Sequence, residues 1–265
     1  MTFKCILLLT LLITSSSLFA PRSFGKSKAL SMSWLTEQNQ QSENVISGFV
    51  KAIRNGDFEY IREGLESGIS PNLTNKHRWS LLHFASRYGK TEIVKLLIDY
   101  GADVNAQSET GVSSLMLAAL LRHEEVVTLL LDKNANTDAK DDLGETPLMK
   151  AAISGNQVIL KAILDKGGAV NQVSLKGHTA LMLAPPKITA FLLDAGAKVD
   201  AVDQRGYTAL MFAVNYRQGE KVRLLLKANA HLNVRAKDNA TALSIATKTN
   251  FLEAISLLKQ YGAVE

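Results

Sequence analysis

The chain has 265 residues, of which 46% are apolar and 21% are charged, and its formal net charge is +5. This balance is typical of a folded protein and excludes an intrinsically disordered chain. Basic and acidic residues are mixed along the sequence, without the basic stripe of a nucleic-acid-binding protein, so we expect no nucleic-acid partner.

The first element is an apolar segment near the N-terminus. Lys4 precedes an apolar run from Cys5 to Ile13, and small polar residues follow, which is the order of a secretory signal peptide. The run is shorter than the roughly 20 residues that span a bilayer. We therefore predict a signal peptide at residues 1–20 and export to a periplasmic or secreted location, without stable membrane insertion. An uncleaved signal segment that anchors the chain in a membrane is the alternative.

Residues 21–43 form the next segment, which is rich in Ser, Lys, Gln and Asn and predicts a flexible polar leader. Cleavage after Ala20 places the leader at the start of the mature chain, although any site from Ser17 to Ala29 fits the pattern. The only cysteine, Cys5, lies inside the predicted signal peptide, so we expect a mature chain without disulfides.

The rest of the chain follows a recurring pattern. Glycine and asparagine tolerate the left-handed conformation that ends a helix, and one of them recurs at a spacing of 33 residues, with one spacing of 29. These positions are Gly68, Gly101, Asn134, Gly167, Gly196, Asn229 and Gly262. A hydroxyl side chain, which can cap a helix N-terminus, recurs with the same spacings at Ser47, Ser80, Ser113, Thr146, Thr179, Thr208 and Thr241.

Each hydroxyl residue introduces a predicted helix. A large apolar residue follows two positions later and an alanine five positions later, which places both on one helix face. A turn and a second apolar helix complete each copy. The stretches "GETPLMKAA" at 144–152 and "EIVKLLIDYGADVNA" at 92–106 resemble the ankyrin repeat.

The resemblance covers residues 44–265 and implies an all-α repeat solenoid of stacked helix-turn-helix units with short β-hairpin loops. We predict seven copies, at about 44–76, 77–109, 110–142, 143–175, 176–204, 205–237 and 238–265. In the last copy Lys259 replaces the apolar residue found at Leu226 in the copy before it, which fits the end of a stack.

The copy at 176–204 is shortened. Pro185, Pro186 and Lys187 replace an interval that is four residues longer in the preceding copy, which is about one helical turn. Because the residue before a proline avoids the helical region, the first helix should end near Leu183 or Ala184, and Pro186 should open the second helix. A tolerated deletion and a notch shaped for a partner are both compatible with this pattern.

We find no pattern that predicts catalysis, a cofactor or a metal site, and we expect the protein not to be an enzyme. The five histidines have no HExxH spacing, and no Cys/His cluster occurs. His83 stands at the histidine position of the tetrapeptide that opens the family's repeat, where we expect it to hold loop backbone. The carboxylates of Asp141 and Asp142 are expected to be solvated on a loop tip.

The resemblance implies a protein-protein interaction scaffold that binds its partner on the concave face, at the loop tips and at the exposed ends of the first helices. Since Trp, Tyr and Arg dominate interface energies, we predict partner contacts at Trp79, Arg87, Tyr88, Arg205, Tyr207 and Tyr216. The alternative is an exported accessory factor or effector that inhibits, regulates or protects a partner enzyme. We expect a monomer, and the sequence does not identify the partner.

Overall fold

A computed structural model describes residues 43–264. The predicted signal peptide and all of the predicted leader except Glu43 lie outside the described residues. The chain divides into two units, residues 1–109 and residues 110–265.

The described part of the first unit contains two pairs of helices. They are α1 (43–55), α2 (Phe58–Glu66), α3 (Leu81–Arg87) and α4 (Thr91–Asp99). In each pair a short connection joins a first helix to a second helix.

The second unit continues the same alternation. Its helices are α5 (Ser114–Leu120), α6 (Glu124–Asp132), α7 (Pro147–Ser154), α8 (Gln157–Asp165), α9 (Ala180–Leu183), α10 (Thr189–Asp194), α11 (Ala209–Asn215), α12 (Gly219–Lys227), α13 (Ala242–Lys248) and α14 (Leu252–Gln260). Within this unit first helices pack on neighbouring first helices and second helices on neighbouring second helices, which confirms a mostly helical repeat solenoid.

The predicted helix ends are confirmed at all but one position. From Ser80 onward, each hydroxyl side chain accepts a hydrogen bond from a backbone N–H in the first turn of the helix that it caps. The glycine and asparagine series has positive φ throughout, from 58° at Asn229 to 94° at Gly68.

The prediction that Ser47 caps a helix is wrong, because this residue lies inside α1. Later copies have a positive-φ residue two positions before the hydroxyl, such as Gly111, Gly144 or Asn239. The first copy has Val45 there, and a β-branched residue does not readily take that conformation. The chain therefore makes no turn before Ser47, and the helix runs through it.

The leucine and alanine positions form the core, as predicted. Leu82 and Ala85 in the first unit, and Leu181 and Ala213 in the second, are fully buried. Because alanine has almost no side chain, the backbones of neighbouring helices can approach closely at these positions. The polar Lys259 near the end of the chain is exposed, whereas Leu226 one copy earlier is buried.

The loops before the first helices, which we call fingers, differ from the predicted β-hairpins. Within residues 43–264 there is no β-strand, and the bridges are isolated, as in the pairs Thr74 with Ser80 and Val202 with Thr208. Five fingers are tight turns, each closed by two backbone hydrogen bonds: 75–79, 141–145, 174–178, 203–207 and 236–240. At Asp203, for example, its N–H donates to Tyr207 O and Gly206 N–H donates to Asp203 O. A turn of this length leaves too few residues for strands.

Neighbouring fingers of the second unit are joined by a repeating backbone hydrogen bond. Leu175 N–H donates to Leu143 O, Gln204 N–H donates to Lys176 O, and Lys237 N–H donates to Arg205 O, all at 2.9 Å. Glycine allows this approach, since a Cβ at Gly177 would lie 2.8 Å from Gln204 N. The finger tips therefore form one continuous row in residues 141–240.

The shortened copy has the predicted form. Helix α9 ends at Leu183, and Ala184 is extended with ψ of 140°. Pro186–Ile188 form a 3₁₀ turn directly before α10. The proline pair thus ends the first helix about one turn early and opens the second, as its restricted geometry requires.

A buried lysine fills the place of the missing turn. Lys221, on α12, is 0% exposed, and its ammonium group donates to Ala184 O at 2.6 Å and to Met182 O at 3.1 Å. These carbonyls lie at the end of α9, where backbone acceptors lack helical partners. Burial lowers the pKa of Lys221 from 10.5 to about 7, because the charged form loses its hydration.

Candidate protein-binding surface

The candidate surface is the row of fingers together with the C-terminal ends of the first helices. In both units the same two positions bring aromatic rings together: the residue just before the capping hydroxyl and the fourth residue of the first helix. Trp79 and Phe84 occupy them in the first unit, and Tyr207 and Phe212 occupy them in the second.

The Trp79 cluster consists of Trp79, His83, Phe84 and Arg87. The Trp79 ring is half-buried and lies 5.4 Å from the Phe84 ring and 5.9 Å from the His83 ring, measured between centroids. The Arg87 guanidinium lies 5.6 Å from the Trp79 centroid, within the range of a cation–π interaction.

His83 holds this cluster to the backbone. Its Nδ1 accepts a hydrogen bond from Ser80 N–H at 3.1 Å and lies 2.7 Å from Ser80 Oγ, while the ring is fully buried. Its predicted structural role is thereby confirmed. Tyr88 follows Arg87 at the end of α3 and is half-buried.

The Phe212 cluster in the second unit consists of His178, Arg205, Tyr207, Phe212 and Tyr216. The Phe212 ring is buried and lies 5.4 Å from the His178 ring, 6.2 Å from Tyr207 and 6.3 Å from Tyr216, the last pair nearly parallel. The Arg205 guanidinium lies 4.5 Å from the Tyr207 centroid. Three of the predicted contact residues thus meet around a phenylalanine that the prediction omitted.

Buried Asp203 fixes the finger that carries Arg205 and Tyr207. Its Oδ1 accepts hydrogen bonds from Arg205 N–H at 2.9 Å and Tyr207 N–H at 2.8 Å. Its Oδ2 pairs with Arg205 Nε at 3.1 Å and lies 3.7 Å from His178 Nε2. A carboxylate with this many donors organises the turn. Asp203 thereby fixes the backbone that carries the side chains of Arg205 and Tyr207.

The hydroxyl of Tyr207 links two fingers. It donates to Asp238 Oδ2 at 2.8 Å. The hydrogen bond favours the protonated phenol and the ionised carboxyl, so it raises the pKa of Tyr207 and lowers that of Asp238. The Tyr207 ring is therefore contacted by Phe212 and Arg205, and its hydroxyl is bound by Asp238.

The finger at 141–145 contradicts one expectation. Asp141 is not solvated: Lys150 Nζ contacts its Oδ2 at 2.7 Å and also pairs with Glu145. Asp141 Oδ1 accepts from Leu143 N–H and Glu145 N–H, so it has the turn-organising role of Asp203. Burial alone lowers the pKa of Lys150, but hydrogen bonds to Asp141 and Glu145 outweigh it, and the pKa is raised overall. Only Asp142 is exposed, as expected.

The exposed side chains of the surface are apolar as well as charged. Tyr216 is 65% exposed, the highest exposure among the aromatic residues of the described chain. Leu121 and Ile153 are exposed at the ends of their first helices, and Leu143 and Leu175 are exposed on neighbouring fingers. Apolar groups held at the end of a rigid element are suited to contact with another protein.

Two further findings concern residues 43–264. No group of three or more His, Cys, Asp or Glu side chains in this range is arranged to hold a metal ion. Over the same range, no helix has both the length and the apolar character needed to cross a membrane.

Comparison with known proteins gives one family. A family model described as ankyrin repeats (3 copies) matches the chain at residues 49–141, 134–203 and 185–264. Together the matches cover most of the chain. Among curated proteins, none matches it. The matches do not count individual repeats, so the number seven stays a prediction.

Proposed function

Because the chain belongs to the ankyrin repeat family, we propose that it is a non-catalytic scaffold that binds a protein partner on its finger surface. Ankyrin repeats imply a protein-protein interaction scaffold, and the family is generally non-catalytic. The proposal adds the location of binding, which is the row of fingers and the ends of the first helices, on the side that the family uses as its concave face.

The observation that carries the location is the exposed ring of Tyr216. One face of the ring packs on buried Phe212, and most of the side chain is open to solvent. Such a ring loses little conformational freedom on binding because its position is already fixed. Tyr, Trp and Arg in this setting are the residue types that most often dominate an interface.

The contacts that fix Arg205 and Tyr207 support the same location. Each of these side chains is held by an aspartate: Asp203 of the same finger for Arg205, and Asp238 of the next finger for Tyr207. The Trp79 cluster in the first unit offers a second, similarly built contact, in which Arg87 lies over the ring. We propose Trp79, Arg87, Tyr88, Arg205, Tyr207 and Tyr216 as the partner contacts.

A second candidate function is favoured by the N-terminal sequence. Lys4 and the apolar run from Cys5 to Ile13 have the order of a secretory signal, and we propose that the scaffold acts after export, as an accessory factor or effector of a partner enzyme. Mass-spectrometric determination of the mature N-terminus tests this part alone. A chain that begins at Met1 in the cytoplasm would refute export without affecting the binding surface.

Affinity capture from cells of the source organism tests the binding surface. The full chain is compared with Tyr216→Ala and with the double variant Trp79→Ala, Tyr88→Ala. The matched control is Val158→Ala with Leu252→Ala, because both residues are exposed and apolar but lie on second helices.

We expect at least one surface variant to weaken partner binding by roughly tenfold or more, which corresponds to about 1.4 kcal/mol, while the control retains it. Loss of binding in the control together with full binding by both surface variants would place the interface on the second helices and refute the proposal.

A further inference from the structure

The positive charge of the chain is concentrated on one part of the finger surface. In segments 173–187, 202–218 and 235–250, which hold the fingers and first helices of the last three copies, the acidic residues are only Asp203 and Asp238. The fingers carry four exposed basic residues: Lys176, Arg205, Arg235 and Lys237. Arg217 and Lys248, at the ends of the first helices, and Lys187, in the turn after α9, are also exposed.

The preceding part of the second unit has a different balance. Its corresponding segments, 110–123 and 140–156, carry three basic and three acidic residues: Arg122, Lys140 and Lys150 against Asp141, Asp142 and Glu145. Although basic and acidic residues are mixed along the sequence, the fingers and first helices of the last three copies carry an excess of basic residues. The excess of positive charge begins at the shortened copy.

The two aspartates offset only part of this charge. Asp203 is buried and pairs with Arg205. Asp238 is exposed, and the hydrogen bond that it accepts from the Tyr207 hydroxyl favours its ionised form. Seven basic residues against two acidic ones leave an excess of five positive charges in these segments, so an approaching partner meets a net cationic surface.

The backbone connections place these cations side by side. Gln204 N–H donates to Lys176 O, and Lys237 N–H donates to Arg205 O, so the three basic finger tips lie on directly bonded neighbours. Since these groups are exposed on adjacent fingers, their positive potentials add.

An apolar contact point lies beside this basic row. Helix α9 ends at Leu183, about one turn earlier than α11, which ends at Asn215 and is followed by Tyr216. Tyr216 stacks on Phe212 and is otherwise exposed. An accessible ring thus lies in the same cluster as the cationic Arg205.

On the premise of the protein-binding function proposed above, we propose that fingers and first-helix ends of residues 173–250 bind an acidic segment of the partner, with an aromatic or apolar side chain of that segment packed beside Tyr216. The carboxylates face Lys176, Arg205 and Lys237. An acidic segment is complementary to the positive charge of this surface. The exposed Tyr216 ring favours a peptide, which can add an apolar side chain, over a ligand that carries only negative charge.

Selection from a random dodecapeptide phage library on the immobilised full chain tests the inference. The test variant is Lys176→Glu with Lys237→Glu. The control is Lys198→Glu with Lys227→Glu, which makes the same change in net charge at exposed lysines of the same unit away from the fingers. Circular dichroism confirms that both variants are folded, and Tyr216→Ala is selected in parallel.

We expect the enriched peptides to be acidic and to contain an aromatic residue. Their enrichment should fall at least roughly tenfold on the finger variant, change less than about twofold on the control, and weaken as salt increases. Tyr216→Ala should also reduce it.

Three results would overturn the inference. Neutral or basic peptides that still depend on Tyr216 would refute the acidic partner and leave the protein-binding function intact. Absence of enrichment, or enrichment indifferent to both Tyr216 and the finger lysines, would refute the acidic partner together with the proposed surface. Tighter binding of a labelled single-stranded oligonucleotide than of the best acidic peptide, lost in the finger variant, would assign the surface to nucleic acid.

Discussion

Replacement of Lys221 by methionine is expected to remove a pH-dependent component from the stability of the protein. Lys221, on α12, is fully buried against the end of α9. No acidic side chain contributes to the shift of its pKa, which burial alone lowers to about 7. In the unfolded chain the group keeps an ordinary pKa of 10.5. Between these values the unfolded state binds one more proton than the folded state.

The sign and size of the effect follow from this difference. Because the unfolded state holds the extra proton, the free energy of unfolding rises with pH, by up to about 1.4 kcal/mol per pH unit from this group. Between pH 7 and pH 9 the lysine should therefore contribute an increase of about 2–3 kcal/mol. Below pH 7 both states are protonated and the contribution is flat.

The absolute stability of Lys221→Met is less informative than its pH dependence. The variant avoids a buried charge, but it leaves Met182 O and Ala184 O without their donor, which costs about 1–3 kcal/mol for each buried group. These two effects have opposite signs and similar size at pH 6. Their difference is small, whereas the slope with pH is not.

Urea denaturation of the unsubstituted protein and of the variant, from pH 6 to pH 9, measures the effect. The free energy of unfolding of the unsubstituted protein should rise across pH 7–9 relative to that of Lys221→Met. The control is Lys227→Met, at an exposed lysine of the same helix, whose free energy of unfolding should change with pH as that of the unsubstituted protein does. A difference between the full chain and Lys221→Met that does not change with pH would show that the ammonium group is hydrated and would refute the reasoning.

Five further substitutions, in three tests, probe the packing of the second unit by urea denaturation. Leu181→Ala should cost about 2–5 kcal/mol because Leu181 is fully buried, and half-buried Leu193→Ala should cost less. Gly177→Ala should cost more than Gly196→Ala: both have positive φ, but only the former would place a Cβ 2.8 Å from Gln204 N. Thr208→Ala should cost about 1 kcal/mol, through loss of the cap on Met211 N–H.

For each of these tests, one result would contradict the described packing. Equal costs at the two leucines would mean that α9 is not packed as described. Equal costs at the two glycines would mean that the fingers are not in contact, and an unchanged midpoint for Thr208→Ala would mean that water satisfies the helix end.

The helix ends could be predicted from the sequence because they depend on residues within one copy. A hydroxyl side chain caps the helix that begins directly after it, and glycine supplies a conformation that no neighbour needs to impose. Ser47 shows the limit of this reasoning: a cap also needs a turn before it, and Val45 cannot provide the turn. The fingers are too short for the strands that the family resemblance implied.

Two features were missed because they depend on contacts between copies. Lys221 occupies a position held in the other copies by Tyr60, Ile93, Val126, Ile159, Ile188 and Ala254. A lysine there, one copy after the proline pair, was a detectable sign of the missing turn. Phe212 repeats the position of Phe84, and its role as the base of the cluster could have been inferred from that repetition.

The side chain of Asp141 was misplaced for a similar reason. Its sequence neighbours suggest an open loop tip, but the acidic groups of the finger meet Lys150 from the following helix. The pairing is not apparent without the fold.

Site-specific photo-crosslinking most directly tests the claim that the finger surface, rather than the second helices, binds the partner. A benzophenone amino acid is introduced in place of Tyr216 in one version of the full chain and in place of Val158, exposed on α8, in another. We expect a crosslinked adduct with a partner protein from position 216 and none from position 158. An adduct from position 158 without one from position 216 would contradict it.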